Sequence, residues 1–309
     1  MTPEEEAMQI LMTFAGNGTA AISDSGGKDS SVLKRIAEKC REKYNLSYKI
    51  VHSHTGLDAP ETVYFVRRER ERAIRSGIEY NISYPDKTFG KLCLERGMLP
   101  TRIARFCCQE LKENYNGAPG ERIVTGVRKN ESANRKNNQG AVTIFKGKNQ
   151  KELDNDPNVL NTPKGGHIVL NYDNDDARRT VEKCFRTNKT LINPLINWTD
   201  DDVWKYIREE KIPINPLYEC GFNRVGCVGC PMASFNGRTQ QFARYPKYKE
   251  RFIQIADRIV KTRNEKGLTK NQTVKMETGL DYFRHWMEDP NVKGQFSFDM
   301  DGNITEDYT

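Results

Sequence analysis

The stretch TAAISDSGGKDSSVLKRIAEKCREKY, residues 19–44, decides the fold. Thr19 to Ser23 is a short run of small and apolar residues that reads as a strand. From Ser30 to Tyr44 the apolar residues Val32, Leu33, Ile36 and Ala37 recur at helical spacing, so the chain reads strand, glycine loop, helix. Upstream, Thr2, Pro3 and Glu5 supply an N-cap, a first-turn proline and a capping-box carboxylate for a short helix that the cluster at Gly16 and Gly18 stops. Downstream, strands are expected at Tyr48 to His54, Ile78 to Ile82 and Arg122 to Val127, with a helix from Ala59 to Ser76. This alternation predicts the α/β class, a doubly wound, mainly parallel sheet with helices on both faces.

Residues 129–180 break the pattern. They are rich in Asn, Gly, Lys and Asp, with short apolar runs only at Ala141 to Phe145 and His167 to Leu170, and read as a polar insertion or mobile flap. Thr199 and Asp202 cap a further helix reaching about Lys211, with Val203, Trp204 and Ile207 inward. Helices are also expected at 239–264 and 278–288, before an acidic tail. The expected organisation is an α/β domain over 1–235, carrying the insertion, and a helical C-terminal extension over 236–309.

The 309 residues carry a net charge of +7, 36% hydrophobic residues and eight cysteines. No apolar stretch approaches a bilayer span, so no membrane role is expected. The N-terminus, acidic where a secretory signal is basic and then apolar, predicts a cytoplasmic location. In that compartment the cysteines point to metal binding, catalysis or burial, not to a disulfide framework. Residues 121–151 hold eight Lys/Arg against two Asp/Glu, and 238–275 hold eleven against three, while 276–309 hold two against eight. Such basic segments suit a polyanion such as nucleic acid, or simply form a solvated surface.

The loop Ser25, Gly26, Gly27, Lys28, Asp29, Ser30 stands where an anion cradle belongs. Glycines admit close approach, the helix N-terminus offers N–H groups, and Lys28, Ser25 and Ser30 add charge and hydroxyl donors. It lacks the Walker spacing, and a plain strand-to-helix turn with a surface lysine is the alternative. Cys227 and Cys230 form a C-x2-C turn, and Cys107 and Cys108 a tandem pair. Four thiolates suit Zn²⁺ or a [4Fe-4S] cluster, unless the tandem pair is merely buried. Adjacent helical cysteines project about 100° apart, which favours a multi-iron cluster over one zinc.

The hexapeptide resembles the pyrophosphate loop of the PAPS reductase and ATP pyrophosphatase (adenine nucleotide alpha hydrolase) superfamily. In the expected order follow His54, Thr55 and Gly56 with Pro60, Glu61 and Thr62; Gly126, Val127 and Arg128 with Ser132 and Arg135; and Asn193, Pro194 and Leu195 with Trp198, Thr199, Asp202, Val203 and Trp204. The resemblance spans roughly 19–235 outside the insertion. Residues 105–112 and 215–231, which contain the paired cysteines and Asn215 to Tyr218, are similar to the cluster segments of iron-sulfur APS reductases. The loop itself looks more like that of the ATP-cleaving members, such as the DNA phosphorothioation enzymes. The reductases also attack sulfur with a cysteine in an ECGLH-like tail, whereas residues 296–309 hold none.

The resemblance implies that Ser25 to Ser30, Thr55, Gly56, Glu61, Gly126, Arg128 and Arg135 bind ATP (or APS/PAPS) with Mg²⁺. It assigns catalytic roles to Lys28, Asp29 and Arg128, and ligation of a [4Fe-4S] cluster to Cys107, Cys108, Cys227 and Cys230. The implied activity is ATP cleavage to AMP and pyrophosphate, supporting sulfur transfer to an adenylated acceptor such as nucleic acid. A sulfur-donor protein such as a cysteine desulfurase is the implied partner. An APS or PAPS reductase using Cys220 or an external thiol, and a non-catalytic nucleotide-binding iron-sulfur regulator, are the alternatives. Cys40, Cys93 and Cys184 read as small core residues.

Overall fold

The computed structural model describes residues 1–112, 121–147, 150–170, 175–266 and 276–288, with two short strands at 296–298 and 304–306. In chain order these are α1 (Pro3–Ala15), β1 (Ala20–Ser23), α2 (Lys28–Tyr44), β2 (Tyr48–Ser53), α3 (Pro60–Arg75), β3 (Tyr80–Ser83), α4 (Phe89–Arg96), α5 (Phe106–Leu111) and β4 (Arg122–Val124). There follow α6 (Ala133–Asn138), β5 (Val142–Ile144), α7 (Gln150–Asp154), β6 (Val159–Asn161), β7 (His167–Val169), α8 (Asp175–Thr187), β8 (Thr190–Ile192) and α9 (Asp200–Glu209). The C-terminal elements are α10 (Phe235–Arg244), α11 (Pro246–Glu265), α12 (Gly279–Met287), β9 (Phe296–Phe298) and β10 (Ile304–Glu306).

Two compact units emerge from the contacts: Met1–Ser53, Pro60–Ser83 and Tyr115–Val225 form the first, and His54–Ala59, Tyr84–Asn114 and Gly226–Thr309 the second. This grouping differs from a linear boundary at residue 235. The second unit gathers its residues from three separated stretches, which no run along the sequence displays.

The first unit holds one sheet of order β3-β2-β1-β4-β8-β5-β7-β6. β3, β2, β1, β4 and β8 run parallel, with Ile22 opposite Ile50 on one side and Val124 on the other. The expected doubly wound sheet is therefore present. Successive strands step from β1 toward β3 in one direction and β4 lies on the other side, so the loop leaving β1 opens at a topological switch point. Its core includes Ile10, Leu11, Phe14, Ile22, Val32, Leu33, Ile36, Val124 and Ile192, all essentially inaccessible. Placing the helical stripe of α2 against the strand of β1 fixes the direction in which the intervening loop points.

The segment 129–180 departs from the expected flap. Its two apolar runs become β5 and β7, and with β6 they extend the sheet antiparallel beyond β8. The buried amide of Asn193 supports this edge by donating to the Gly140 carbonyl at 2.8 Å. Residues 171–174, inside the same segment, lie outside the described residues.

In the second unit the helix expected over 239–264 is divided. Pro246 starts α11, and Tyr245 before it adopts φ −121° and ψ 70°, as the proline ring disfavours helical backbone in its predecessor. Phe242, Phe252, Phe283 and Trp286 pack edge-on and tilted at 5.2 to 6.4 Å between ring centroids. The Trp286 indole donates to the Pro100 carbonyl at 2.7 Å, tying α12 to the segment before α5. Most of the expected acidic tail, beyond residue 288, lies outside the described residues apart from the backbone of β9 and β10. Among the described residues no helix is long and apolar enough to cross a membrane.

Candidate nucleotide site and cysteine centre

The loop after β1 is held from beneath by Asp24, which is almost wholly buried. One carboxylate oxygen accepts from the Gly26 N–H at 2.8 Å and the Ser30 hydroxyl at 2.9 Å. The other accepts from Lys34 at 2.6 Å and the Tyr80 hydroxyl at 2.8 Å. Burial by itself would raise the pKa of Asp24, but the Lys34 ammonium and these donors outweigh it and hold the carboxyl well below the usual range. Gly26 has φ 72°, and a Cβ there would stand 2.9 Å from the Thr62 methyl, so conformation and space both demand glycine. The wholly buried Asn215 bridges the loop to α3, donating to the Gly26 carbonyl at 3.2 Å and the Thr62 hydroxyl at 3.0 Å.

α2 begins at Lys28 without a side-chain cap, which leaves its first-turn N–H groups directed at the loop mouth. One of them is taken: the Lys28 N–H donates to the Tyr218 hydroxyl at 2.9 Å, while Ser25 donates to Ser30 at 3.3 Å. Burial pushes the Tyr218 hydroxyl up to about 12, so it stays a neutral donor-acceptor. Asn215 and Tyr218, which the sequence resemblance groups with the cysteine segment, thus serve the loop.

Four charged side chains converge at the mouth. Lys28 lies 2.9 Å from Asp200 and 3.3 Å from Asp29. Arg128, 1% exposed, lies 2.6 Å from Asp29 and 2.8 Å from Asp200. Hydrogen bonding from Lys28 first, with the charges of Lys28 and Arg128, holds the pKa of Asp200 below its ordinary value. Gly126 makes room for this closure, since a Cβ there would be 3.1 Å from the Asp29 carbonyl carbon. Arg135 does not join it. It pairs with Glu131, which in turn accepts from the Arg128 backbone N–H at 3.1 Å. The sequence patterns single out neither Asp200, which lies between the capping residues Thr199 and Asp202, nor Asp24. An acid directly before a glycine loop is the signal that could have flagged the latter.

Glu61 sits half-buried in the first turn of α3. Thr55 and Gly56 belong to the second unit. The Thr55 hydroxyl stands 3.1 Å from Asp58 and 3.4 Å from the Cys227 sulfur, and the Val228 N–H donates to the Leu57 carbonyl at 2.8 Å. The C-x2-C turn is therefore strapped to residues 55–58. Cys107 and Cys108 lie on α5, in the same unit as Cys227 and Cys230. A hydrogen bond with Cys108, then burial, then the charges of Cys108, Cys227 and Cys230 push the Cys107 thiol far up. Burial first, with Asp58 second, pushes Cys227 up to about 12.

The raised thiols of Cys107 and Cys227 belong to a four-cysteine donor set that a cationic centre would relieve. Sets of three potential ligand atoms within 4.8 Å of one another do not include these cysteines among the described residues. A single tetrahedral zinc needs its sulfurs about 3.8 Å apart. A cluster that spreads its thiolates over several irons fits better. Cys40, Cys93 and Cys184 are buried, and Cys220 is exposed.

A glycine loop at the switch point of a doubly wound sheet, with helix N–H groups and buried charge at its mouth, defines a nucleotide-binding α/β protein. The sequence model of the phosphoadenosine phosphosulfate reductase domain matches residues 19–233, and the chain belongs to that family. It is 25% identical over 203 residues to adenosine 5′-phosphosulfate reductase 1 of Bacillus subtilis, covering 64% of this chain and 68% of that protein. It is 24% identical over 269 residues to an uncharacterized protein of Methanocaldococcus jannaschii, covering 83% of this chain; the chain spans 53% of that relative's length. Among solved structures, the U34-tRNA thiolase NcsA of Methanococcus maripaludis with its [4Fe-4S] cluster matches with TM-score 0.40 and 14% identity, over 89% of this chain and 81% of that one.

Proposed function

We propose that the protein binds ATP at Ser25 to Ser30, cleaves it to AMP and pyrophosphate, and supports sulfur transfer to the adenylated acceptor. The observation that carries this reading is the convergence of Lys28 and Arg128 on the mouth of an intact loop, each ion-paired to Asp29 and Asp200. Incoming phosphate oxygens compete with these carboxylates for the two cations, and the freed carboxylates are oxygen ligands of the kind Mg²⁺ takes. The loop N–H groups and Lys28 hold the β- and γ-phosphates, with Ser25 and Ser30 adding hydroxyls, and Arg128 steadies the α-phosphate. An acceptor oxygen attacks the α-phosphorus, the bond to the bridging oxygen breaks, and its electron pair leaves with pyrophosphate. Lys28 meets the charge that develops there. A sulfur nucleophile then displaces AMP from the activated position.

Cys107, Cys108, Cys227 and Cys230 would hold a [4Fe-4S] cluster, which supplies redox-active iron with affinity for sulfur. Replacing Cys107 by serine is expected to lower iron and acid-labile sulfide from about four per chain to near zero. Colorimetric iron and sulfide assays on anaerobically purified protein check this; zinc in place of iron would sink the cluster assignment.

The named similarity to an adenosine 5′-phosphosulfate reductase favours a second reading, reduction of a sulfonucleotide. Anaerobic incubation with Mg²⁺ and either ATP plus candidate acceptors or APS plus thiol separates the two. AMP with pyrophosphate supports the first reading and sulfite supports the second. Tight nucleotide binding with neither product indicates a regulator.

A further inference from the structure

Two adjoining cavities of the second unit, about 490 and 890 Å³, share Thr88, Lys247 and Arg251 in their linings. The smaller is walled by Leu57, Phe89 and Phe252 and rimmed by Tyr84, which is 59% exposed. The His54 ring meets Tyr84 edge-on at 5.2 Å and fixes its plane. The larger follows α11, where Lys247, Arg251 and Arg258 all line it. At 100° per residue these three fall within about 40° of one another, forming a stripe about 16 Å long. Among the described residues none of the three has an acidic partner, whereas Lys87 at the rim pairs with Glu95 at 2.7 Å. Glu250 also lines the larger cavity. α11 lies beyond residue 233, where the family match ends, so this stripe is an addition to the shared domain.

We infer that this cleft binds a single-stranded nucleic acid, with its backbone along Lys247, Arg251 and Arg258 and one base in the pocket beside Tyr84. A stripe this long exceeds one mononucleotide and matches a backbone carrying several phosphates. A mainly apolar pocket with an aromatic rim accepts an unpaired base, which a duplex keeps stacked inside. An acidic polypeptide would use the cations but its carboxylates gain nothing from the apolar wall of Leu57, Phe89 and Phe252. The inference supplies an acceptor class for the proposed sulfur transfer. Binding is measured without ATP, so failure here leaves ATP cleavage untouched, and failure of ATP cleavage leaves this binding untouched.

The experiment is fluorescence anisotropy of the full-length protein with short, labelled single-stranded DNA and RNA over a salt titration. Lys247→Glu combined with Arg251→Glu should weaken binding at least about tenfold. It should also flatten the log–log salt slope by about 1.4, at about 0.7 per phosphate contact. Tyr84→Ala should weaken it at least about fivefold and Tyr84→Phe should restore it. A preference between DNA and RNA names the natural strand. Unchanged affinity and slope in the charge-reversed protein overturn the site, as does equal competition by AMP or by polyglutamate. A photoreactive base in the oligonucleotide, used with wild-type protein, should crosslink within residues 84–89 or 247–258; crosslinks confined elsewhere overturn the site without any variant.

Discussion

Asp24→Asn is expected to destabilise the first unit by about 3 kcal/mol or more, the usual cost of removing one partner of a buried ion pair. The carboxylate accepts from Gly26, Ser30, Lys34 and Tyr80 at 2.6 to 2.9 Å. Asparagine keeps the shape but turns one oxygen into a donor that faces Lys34 or Ser30. Lys34 is left with Glu69 at 3.3 Å as its remaining acid. The effect has a pH signature. The folded carboxyl titrates well below its ordinary 3.8, so its stabilisation is complete above that value and drains away as pH falls through the depressed folded pKa. Below about pH 4 the wild-type protein should therefore lose stability more steeply than Asp24→Asn, and the two curves should converge. Denaturant titrations between pH 3 and 7 check both points. Near-equal stability at pH 7, or parallel pH profiles, would show that Asp24 does not support the loop. Combining Asp24→Asn with Lys34→Met should recover part of the loss, because no uncompensated charge remains.

How much of this was legible in the sequence depends on whether the signal was local. The β1 strand, the α2 stripe at Val32, Leu33, Ile36 and Ala37, and the capping boxes at Thr2 and Thr199 are set by neighbours a few residues apart, and they stand where periodicity put them. Strands of three residues are different. β5 and β7 bury short apolar patches within polar sequence while β6 is largely exposed, and they become strands only by pairing in series, β5 on β8, β7 on β5 and β6 on β7. A flap and a sheet edge look alike before that partner is known. The candidate site divides the same way. Ser25 to Ser30 announce themselves as a run. The roles of Asp200, Asn215 and Tyr218 arise from contacts 72 to 190 residues apart in the chain, which spacing cannot reveal. Arg135 matches a motif in sequence, and in the structure its side chain pairs with Glu131.

Lys28→Ala should lower the rate of pyrophosphate release from ATP about 10²- to 10³-fold, the usual cost of losing one donor at developing transition-state charge. The fold has little reason to fail. Lys28 exchanges partners only with Asp29 and Asp200, and Asp200 is largely exposed on its other side, so both carboxylates keep Arg128 or water. Arg128→Lys is the sharper companion. A lysine keeps the charge but loses the planar fork that reaches Asp29 through Nε and Asp200 through one terminal nitrogen, so about a tenfold loss is expected despite the retained cation. If Lys28 and Arg128 act on the same departing charge, the double variant Lys28→Ala with Arg128→Lys should lose far less than the product of the single effects. Steady-state pyrophosphate assays at saturating ATP, with nucleotide affinity measured separately, distinguish lost binding from lost rate. A Lys28→Ala protein that releases pyrophosphate at the wild-type rate would remove this lysine from the chemistry and leave the loop as a binding feature alone.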